Sequence, residues 1–161
     1  MGKMETKTNV MRILEQQKIL HTVHEYPCPD GAVDGRTVAH MIGRKEDQVF
    51  KTLVTAGASR TNYVFVIPVA EELNLKKAAK SVGEKSISMI RQAELFPLTG
   101  YVHGGCSPIG MKKHLHTVFD ETAELLDTVI VSAGKIGWQV ETAPGDLLTL
   151  TGGSTADLTG E

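Results

Sequence analysis

Glu46-Asp-Gln-Val-Phe-Lys-Thr-Leu-Val-Thr55 and Thr61-Asn-Tyr-Val-Phe-Val-Ile-Pro-Val69, separated by Gly57-Ala-Ser-Arg60, read as two strands and a hairpin turn. β-branched and aromatic residues fill both runs, and a Gly-containing connection between two such runs is a hairpin signal. Side chains alternate across a strand, so Val49, Lys51 and Leu53 share one face while Phe50, Thr52 and Val54 share the other. Lys51 therefore stands among apolar neighbours. If its face is interior, the ammonium needs an anion or carbonyls to offset desolvation, which would mark a site. An edge-strand lysine that blocks aggregation fits the same pattern, and the pattern alone leaves both readings open.

Outward from the hairpin, the chain alternates short helices and short strands. Val10, Ile13, Leu14 and Gln17 recur at helical spacing, with Asn9 as the expected cap, and Met1 to Thr6 is expected to fray. His21 to Tyr26 reads as a strand ended by Pro27-Cys-Pro-Asp-Gly31, and Thr37 to Ile42 as a helix closed by Gly43. Leu75 to Val82 is a helix capped by Asn74 and stopped by Gly83, with Leu75, Ala78, Ala79 and Val82 inward. Ser86 to Ser88 is a short strand, and Arg91 to Phe96 a helical turn ended by Pro97. Thr117 to Phe119, Thr128 to Ser132 and Trp138 to Thr142 read as strands, the last two forming a hairpin through Gly134-Lys-Ile-Gly137. Pro144 to Leu150 starts a final helix, and the Gly/Ser/Thr-rich residues 153–161 are expected to form a flexible tail. The fold class that follows is α+β, built on a mixed, strongly curved sheet surrounded by short helices, in one domain spanning residues 1–152.

Composition narrows the function. A chain of 161 residues with 41% hydrophobic content can bury one core, and a net charge of −2 excludes an overall basic coat for nucleic acid. Aromatics make up only 5% of residues, too few for a broad base-stacking platform. Cys28 and Cys106 stand apart rather than as a CxxC pair, which predicts a reduced, cytoplasmic setting. No apolar run approaches the ~20 residues of a membrane span, and the start lacks the layout of a signal peptide.

The stretch Gly100-Tyr-Val-His-Gly-Gly-Cys-Ser-Pro-Ile-Gly-Met-Lys-Lys113 carries four glycines and a proline. It can present bare backbone to a ligand, or it can simply be a tight bend. Ser107, Ser132 and Cys106 are candidate nucleophiles, yet Gly-Gly-Cys-Ser-Pro is not the Gly-x-Ser-x-Gly elbow of α/β hydrolases. His24, His103, His114 and His116 have no base-orienting partner that spacing can place, and His114-x-His116 lacks further metal ligands. Asp146, near a helix start, fits a macrodipole partner as well as an acid. Lys76, Lys77, Lys80, Lys85 and Arg91, then Lys112 and Lys113, form clusters able to meet phosphates or to be a solvated face.

Five motifs in register identify a resemblance over nearly the whole chain: Asp47-Gln-Val-Phe-Lys-Thr-Leu53, Leu75-Lys-Lys-Ala-Ala-Lys80, Gly100 to Lys113, Val131-Ser-Ala-Gly-Lys135 and Ala143-Pro-Gly-Asp-Leu147. Together they resemble the YbaK/EbsC family, free-standing relatives of the editing domain inserted in bacterial prolyl-tRNA synthetase. The chain is most similar to the branch of Cys-tRNA(Pro)/Cys-tRNA(Cys) deacylases. The resemblance implies a barrel-like sheet of six or seven strands and hydrolysis of cysteine wrongly attached to proline tRNA. It implies no cofactor, no metal and no membrane, and it names tRNA and prolyl-tRNA synthetase as partners. It makes Lys51 the essential lysine and Tyr26 a pocket residue. Gly104, Gly105, Cys106, Ser107 and Pro108 become the substrate loop, with Ser132 and Gly134 a second wall and Asp146 beyond it. One departure from the family pattern is the Cys28–Gly35 loop, which is shorter and offers Val33 where relatives carry an aromatic. The resemblance also implies that the substrate's own thiol attacks the ester and leaves as a thiolactone, a route open to cysteine because its thiol is partly ionised near neutrality. Two alternatives stay open: a deacylase for another mischarged tRNA such as Ala-tRNA(Pro), and a non-catalytic module that binds an aminoacyl or nucleotide end.

Overall fold

The computed structural model describes residues 7–161, so the expected fraying of Met1 to Thr6 lies outside the described residues. Five α-helices and eight strands follow one another among the described residues: α1 (Asn9–Gln16), β1 (His21–Glu25), α2 (Gly35–Met41), β2 (Phe50–Gly57), β3 (Asn62–Pro68), α3 (Leu75–Val82), β4 (Ile87–Met89), α4 (Gln92–Thr99), β5 (His116–Asp120), β6 (Val129–Ser132), β7 (Trp138–Thr142), α5 (Pro144–Thr151) and β8 (Ser154–Ala156). A 3₁₀ turn, Glu121–Leu125, joins β5 to β6. The mixed α+β reading holds, but the strands do not curl into a barrel. They form two sheets, one of five strands ordered β4-β2-β3-β5-β8 and one of three ordered β1-β7-β6. In the larger sheet β4, β2 and β3 are antiparallel while β3, β5 and β8 run parallel.

The two sheets touch where Val49 bridges Ile130 in parallel, and beyond that bridge they part. Barrel closure needs a continuous ladder around the sheet, and here the edge of β2 regains a neighbour only at Val54, whose carbonyl receives Ile90 N–H, just before Thr55 pairs with Met89 of β4. A single half-buried carboxylate holds the junction. Glu141 of β7 accepts from Thr128 Oγ1 at 2.6 Å and Gln48 Nε2 at 3.2 Å, pairs with His24 Nε2 at 2.7 Å, and meets Arg44 Nε at 3.3 Å. It thereby links β7 to β1, to the start of β6 and to the segment that leads into β2.

The apolar residues divide between the sheets as alternation requires. Phe50 and Val54 of β2 and Val64 and Val66 of β3 join Val10 and Leu14 of α1 and Val129, Val131 and Val140 of the small sheet in the main core. On the opposite face, Leu53, Phe65 and Ile67 pack under Ala78 and Ala79 of α3. The cap of α1 is Thr8, whose hydroxyl accepts from Met11 N–H at 3.2 Å, rather than the expected Asn9, the first helical residue. α3 has the expected bounds, Asn74 cap and Gly83 stop, but Leu75 at its first position remains 44% exposed, beyond the reach of the sheet. Pro97 lies inside α4 instead of ending it. Only the Ala93 carbonyl loses its usual donor, and Ala93 is exposed, so water can replace it.

The C-terminal residues are the main correction. Residues 154–156 pair in parallel with β5, and Leu158 is fully buried. Its N–H donates to Asp120 Oδ1 at 3.0 Å, and its carbonyl accepts from Asn74 N–H at 2.8 Å. Lys77 Nζ clamps Asp157 Oδ2 at 2.8 Å and the Thr159 carbonyl at 2.7 Å. The polar composition suggested a flexible tail because one leucine in nine residues carries little hydrophobic signal, yet a waiting strand edge supplies the partners. Among the described residues no helix is long and apolar enough to cross a membrane.

A candidate active site in the wedge between the sheets

The parting of β2 from β6 opens a cavity of about 580 Å³, a size suited to a nucleoside-sized ligand. Its floor is the bare edge of β2. Val49 C=O accepts from Val69 N–H at 2.8 Å and Gly57 N–H donates to Thr61 C=O at 2.8 Å, so odd-numbered residues of β2 direct their main chain at β3. Even-numbered residues direct theirs to the other edge, where Gln48 C=O receives Ile130 N–H at 3.0 Å and Val54 C=O receives Ile90 N–H at 3.4 Å. Thr52 lies between those two contacts, in the stretch that no strand covers.

Lys51, Tyr26, Gly104, Cys106 and Ser132 all line this one cavity. Lys51 is half-buried, on the same face as Leu53. Burial pushes its amine below the usual lysine value, the carboxylates of Glu72 and Glu71 pull it back up in part, and the Arg36 guanidinium lowers it further. The ammonium is thus not in bulk water, and it forms no ion pair among the described residues. Tyr26, only 4% exposed, sits just past β1, where its N–H donates to Gly137 C=O at 2.9 Å.

The glycine stretch is a loop, not a strand, and it is stapled to itself. Tyr101 OH donates to the Ile109 carbonyl, Ile109 N–H donates to Ser107 Oγ at 3.2 Å, and Gly105 N–H donates to Val102 C=O at 3.0 Å. Gly104 has φ +88°, and a side chain there would collide with Ala32 Cβ at 2.5 Å, so this loop and the one after β1 meet only because glycine occupies the contact. A Cβ on Gly105 would crowd Ile136 N at 3.1 Å, at the tip of the β6–β7 hairpin.

Not every expected residue reaches the cavity. Gly105 and Ser107 are buried within the loop, Ser107 at 0% exposure, so its hydroxyl is a staple rather than a nucleophile facing substrate. Pro108 borders a second, smaller hollow beside Ile13 and His114. Gly134, two residues beyond Ser132, is not on the cavity wall; its N–H donates to Ser132 Oγ at 3.1 Å, its φ is +92°, and Tyr101 packs against it. Asp146 occupies the first turn of α5, away from the cavity wall. Of the histidines, only His103 lines the cavity; His24 is tied to Glu141, His116 packs on the Tyr63 ring at 5.7 Å, and His114 is exposed near Gly152. Burial pushes the Cys106 thiol up to about 12, so it is protonated at neutral pH and a poor nucleophile. Among the described residues no three His, Cys, Asp or Glu side chains are grouped to hold a metal.

Three lining residues escaped the sequence reading. Arg36, in the first turn of α2, brings a second cation to the wall, its Nε bonded to Glu46 Oε1 at 3.0 Å. Gln139 is 6% exposed, on the strand face shared with Ser132. Thr52 Oγ1 is the one buried side-chain oxygen or nitrogen among the described residues without a hydrogen-bond partner. Such a group costs about 1–3 kcal/mol of stability when nothing pairs with it. The position of Thr52 beside Lys51 was readable, but its lack of a partner is a tertiary fact.

Comparison with known proteins agrees with this architecture. The family model for the aminoacyl-tRNA editing domain matches residues 32–150. EbsC of Enterococcus faecalis, named as a candidate Cys-tRNA(Pro)/Cys-tRNA(Cys) deacylase, is 43% identical over 157 residues, covering 98% of this chain and 96% of its own. A crystal structure of a candidate trans-editing enzyme for prolyl tRNA synthetase superimposes with a TM-score of 0.82 at 26% identity, over 98% of this chain and all of that one (100%). The hypothetical protein APE2540 shares the fold, with a TM-score of 0.84 at 23% identity over 94% of this chain and 99% of its own. With the matched segment spanning both walls of the cavity, the chain belongs to the aminoacyl-tRNA editing domain family.

Proposed function

We propose that this protein is a trans-editing deacylase that removes cysteine from mischarged Cys-tRNA(Pro), acting in the cytoplasm beside prolyl-tRNA synthetase. The observation that carries the reading is the convergence of Lys51 and the Gly104–Cys106 turn on one cavity at a bare strand edge. The relatedness to EbsC, whose name carries that substrate, supports the choice of ester.

In this reading the protein positions the ester and stabilises charge rather than supplying a nucleophile. Lys51 holds the 3′-terminal nucleotide through its phosphate or hydroxyl. The Gly105 and Ile109 N–H groups are consumed inside the loop, so the N–H groups of Gly104 and Cys106 are the ones assigned to the developing oxyanion. Tyr26 and Ser132 flank the aminoacyl group, while Gly105, Ser107, Pro108 and Gly134 shape the walls from behind. Asp146 is left with a helix-terminus role. The substrate thiolate attacks its own carbonyl carbon, the bond to the ribose oxygen breaks, and that oxygen takes up a proton. A thiolactone departs and water opens it. Discrimination then rests on chemistry, because alanine and proline lack the thiol, whereas pocket size separates side chains that differ by one methylene only weakly.

Deacylation of proline tRNA charged with cysteine, alanine, serine or α-aminobutyrate tests the proposal. Cys-tRNA(Pro) is expected to lose its amino acid rapidly, and the α-aminobutyryl ester, which replaces the thiol by a methyl group, is expected to be inert. Equal turnover of the α-aminobutyryl and cysteinyl esters would remove the thiol mechanism, and preference for alanine would reassign the substrate.

A further inference from the structure

We propose that Gln139, with Ser132 beside it, donates hydrogen bonds to the thiol sulfur of the esterified cysteine and so favours the thiolate that attacks the ester. The inference rests on the editing reading of the same cavity. Its basis is a row of side chains on one face. Val129, Val131 and Val140 point into the main core, so alternation turns Ile130, Ser132 and Gln139 to the other side, where Ile130 packs with Val49, which shares the Lys51 face. Ser132 pairs directly with Gln139. Val49 bridges Ile130 in parallel, so the same register two residues on brings Lys51 level with Ser132 across the opening wedge. Lys51, Ser132 and Gln139 all line the cavity.

Both small-sheet residues have donors to spare. Gln139 is 6% exposed, and its amide enters none of the side-chain hydrogen bonds among the described residues. Unlike the Thr52 hydroxyl it is not sealed in, so its N–H groups open on the cavity. Ser132 Oγ accepts from Gly134 N–H at 3.1 Å, and its own hydrogen has no acceptor among the described residues. Buried polar groups find partners in folded proteins, so these donors describe a place that a ligand acceptor completes. The charges nearby favour an anion. The Lys51 ammonium stands on the same face and opposes an ammonium there. Glu141, two residues along that face of β7, already accepts from Thr128 and Gln48 and meets His24 and Arg44. Asp34 and Arg36 flank the cavity at the start of α2, and the loop brings His103 and the Cys106 thiol, which is uncharged at neutral pH. Two atoms of a cysteinyl ester carry negative charge in the reaction. The carbonyl oxygen goes to the Gly104 and Cys106 N–H groups, which leaves the sulfur for Ser132 and Gln139. The thiol gives its proton to water, the sulfur electron pair forms the bond to the carbonyl carbon, the bond to the ribose oxygen breaks, and that oxygen takes a proton from water. Donors on the sulfur raise the ionised fraction, and an attacking thiol works best when it ionises near the ambient pH.

An NMR pH titration of the full chain tests this with 3′-deoxy-3′-(cysteinylamino)adenosine, a hydrolysis-resistant probe carrying carbon-13 at the carbon that bears the sulfur. The chemical shift of that carbon reports ionisation of the ligand thiol alone. Bound to the wild type, the thiol is expected to ionise about one pH unit lower than in the free probe, because a hydrogen bond to a charged acceptor is stronger than one to a neutral acceptor. Gln139→Met keeps the shape and removes the donors, so it is expected to reverse about half of that shift or more, and Ser132→Ala part of it. The alanyl analogue, which lacks sulfur, is expected to bind wild type and Gln139→Met alike. A wild-type complex whose thiol ionises as in the free probe would overturn the inference, with no variant needed. So would absence of binding, a shift that survives Gln139→Met in full, or a Gln139→Met protein that loses the alanyl and cysteinyl probes equally. Cys-tRNA(Pro) deacylation measured alongside separates the two levels. Turnover with an unshifted thiol sinks the sulfur contact alone, and a shifted thiol without turnover sinks the editing reading alone.

Discussion

Lys51 and Cys106 show how burial divides roles between residues on the same wall. Burial lowers the lysine amine and raises the cysteine thiol, since each environment disfavours the charged form. For the thiol, at about 12, the ionised fraction at pH 7 is on the order of 10⁻⁵, which leaves no protein thiolate to attack an ester. Cys106→Ala is therefore expected to retain deacylation within about threefold of wild type, as measured by single-turnover release of cysteine; a loss of the size that follows removal of a catalytic nucleophile would contradict it. Lys51 was conspicuous in the sequence because a charge interrupted an apolar strand. Thr52 and Gln139 were not, because a threonine in a strand and a glutamine in a hairpin are ordinary until their missing partners are seen.

Among the elements, the junction of the two sheets matters most, and Glu141 holds it. Burial pushes its carboxyl up, but hydrogen bonds from Thr128 and His24 and the charge of Arg44 outweigh that, so its value lies below the ordinary 4.5. A carboxylate held below its unfolded value adds stability that is complete above about 4.5 and is lost as pH falls through the lower folded value. Glu141→Gln is expected to cost about 1–3 kcal/mol at pH 7 in urea denaturation, and the gap between variant and wild type is expected to narrow toward pH 3. A gap independent of pH would refute this assignment. The β2–β3 hairpin and α3 were legible because local signals, Gly57 to Arg60 and the Asn74 and Gly83 stops, agree with the packing. Pro97 misled because its rule concerns a lost hydrogen bond, and on an exposed turn water can replace that bond.

At the scale of the molecule, the C-terminal residues close the large sheet and cover the α3 face, so they belong to the folding unit rather than to a tail. Leu158→Ala is expected to lower stability by about 2–5 kcal/mol, the range for emptying a fully buried leucine site, as read from the urea midpoint. A change below about 0.5 kcal/mol would show that residues 154–158 are dispensable. The barrel-like sheet that the resemblance implies does not form, because the strands divide into two sheets joined, among the described residues, only at the Val49–Ile130 bridge. Here the ladder breaks between Val49 and Val54, and the break makes the cavity. The account thus depends on Lys51 acting at that break, and single-turnover deacylation of Cys-tRNA(Pro) by Lys51→Ala tests it most directly. The predicted result is a loss of about 100-fold or more with the thermal midpoint unchanged or raised, since a partly desolvated ammonium has been removed. A folded Lys51→Ala protein that keeps activity within about twofold of wild type would contradict it.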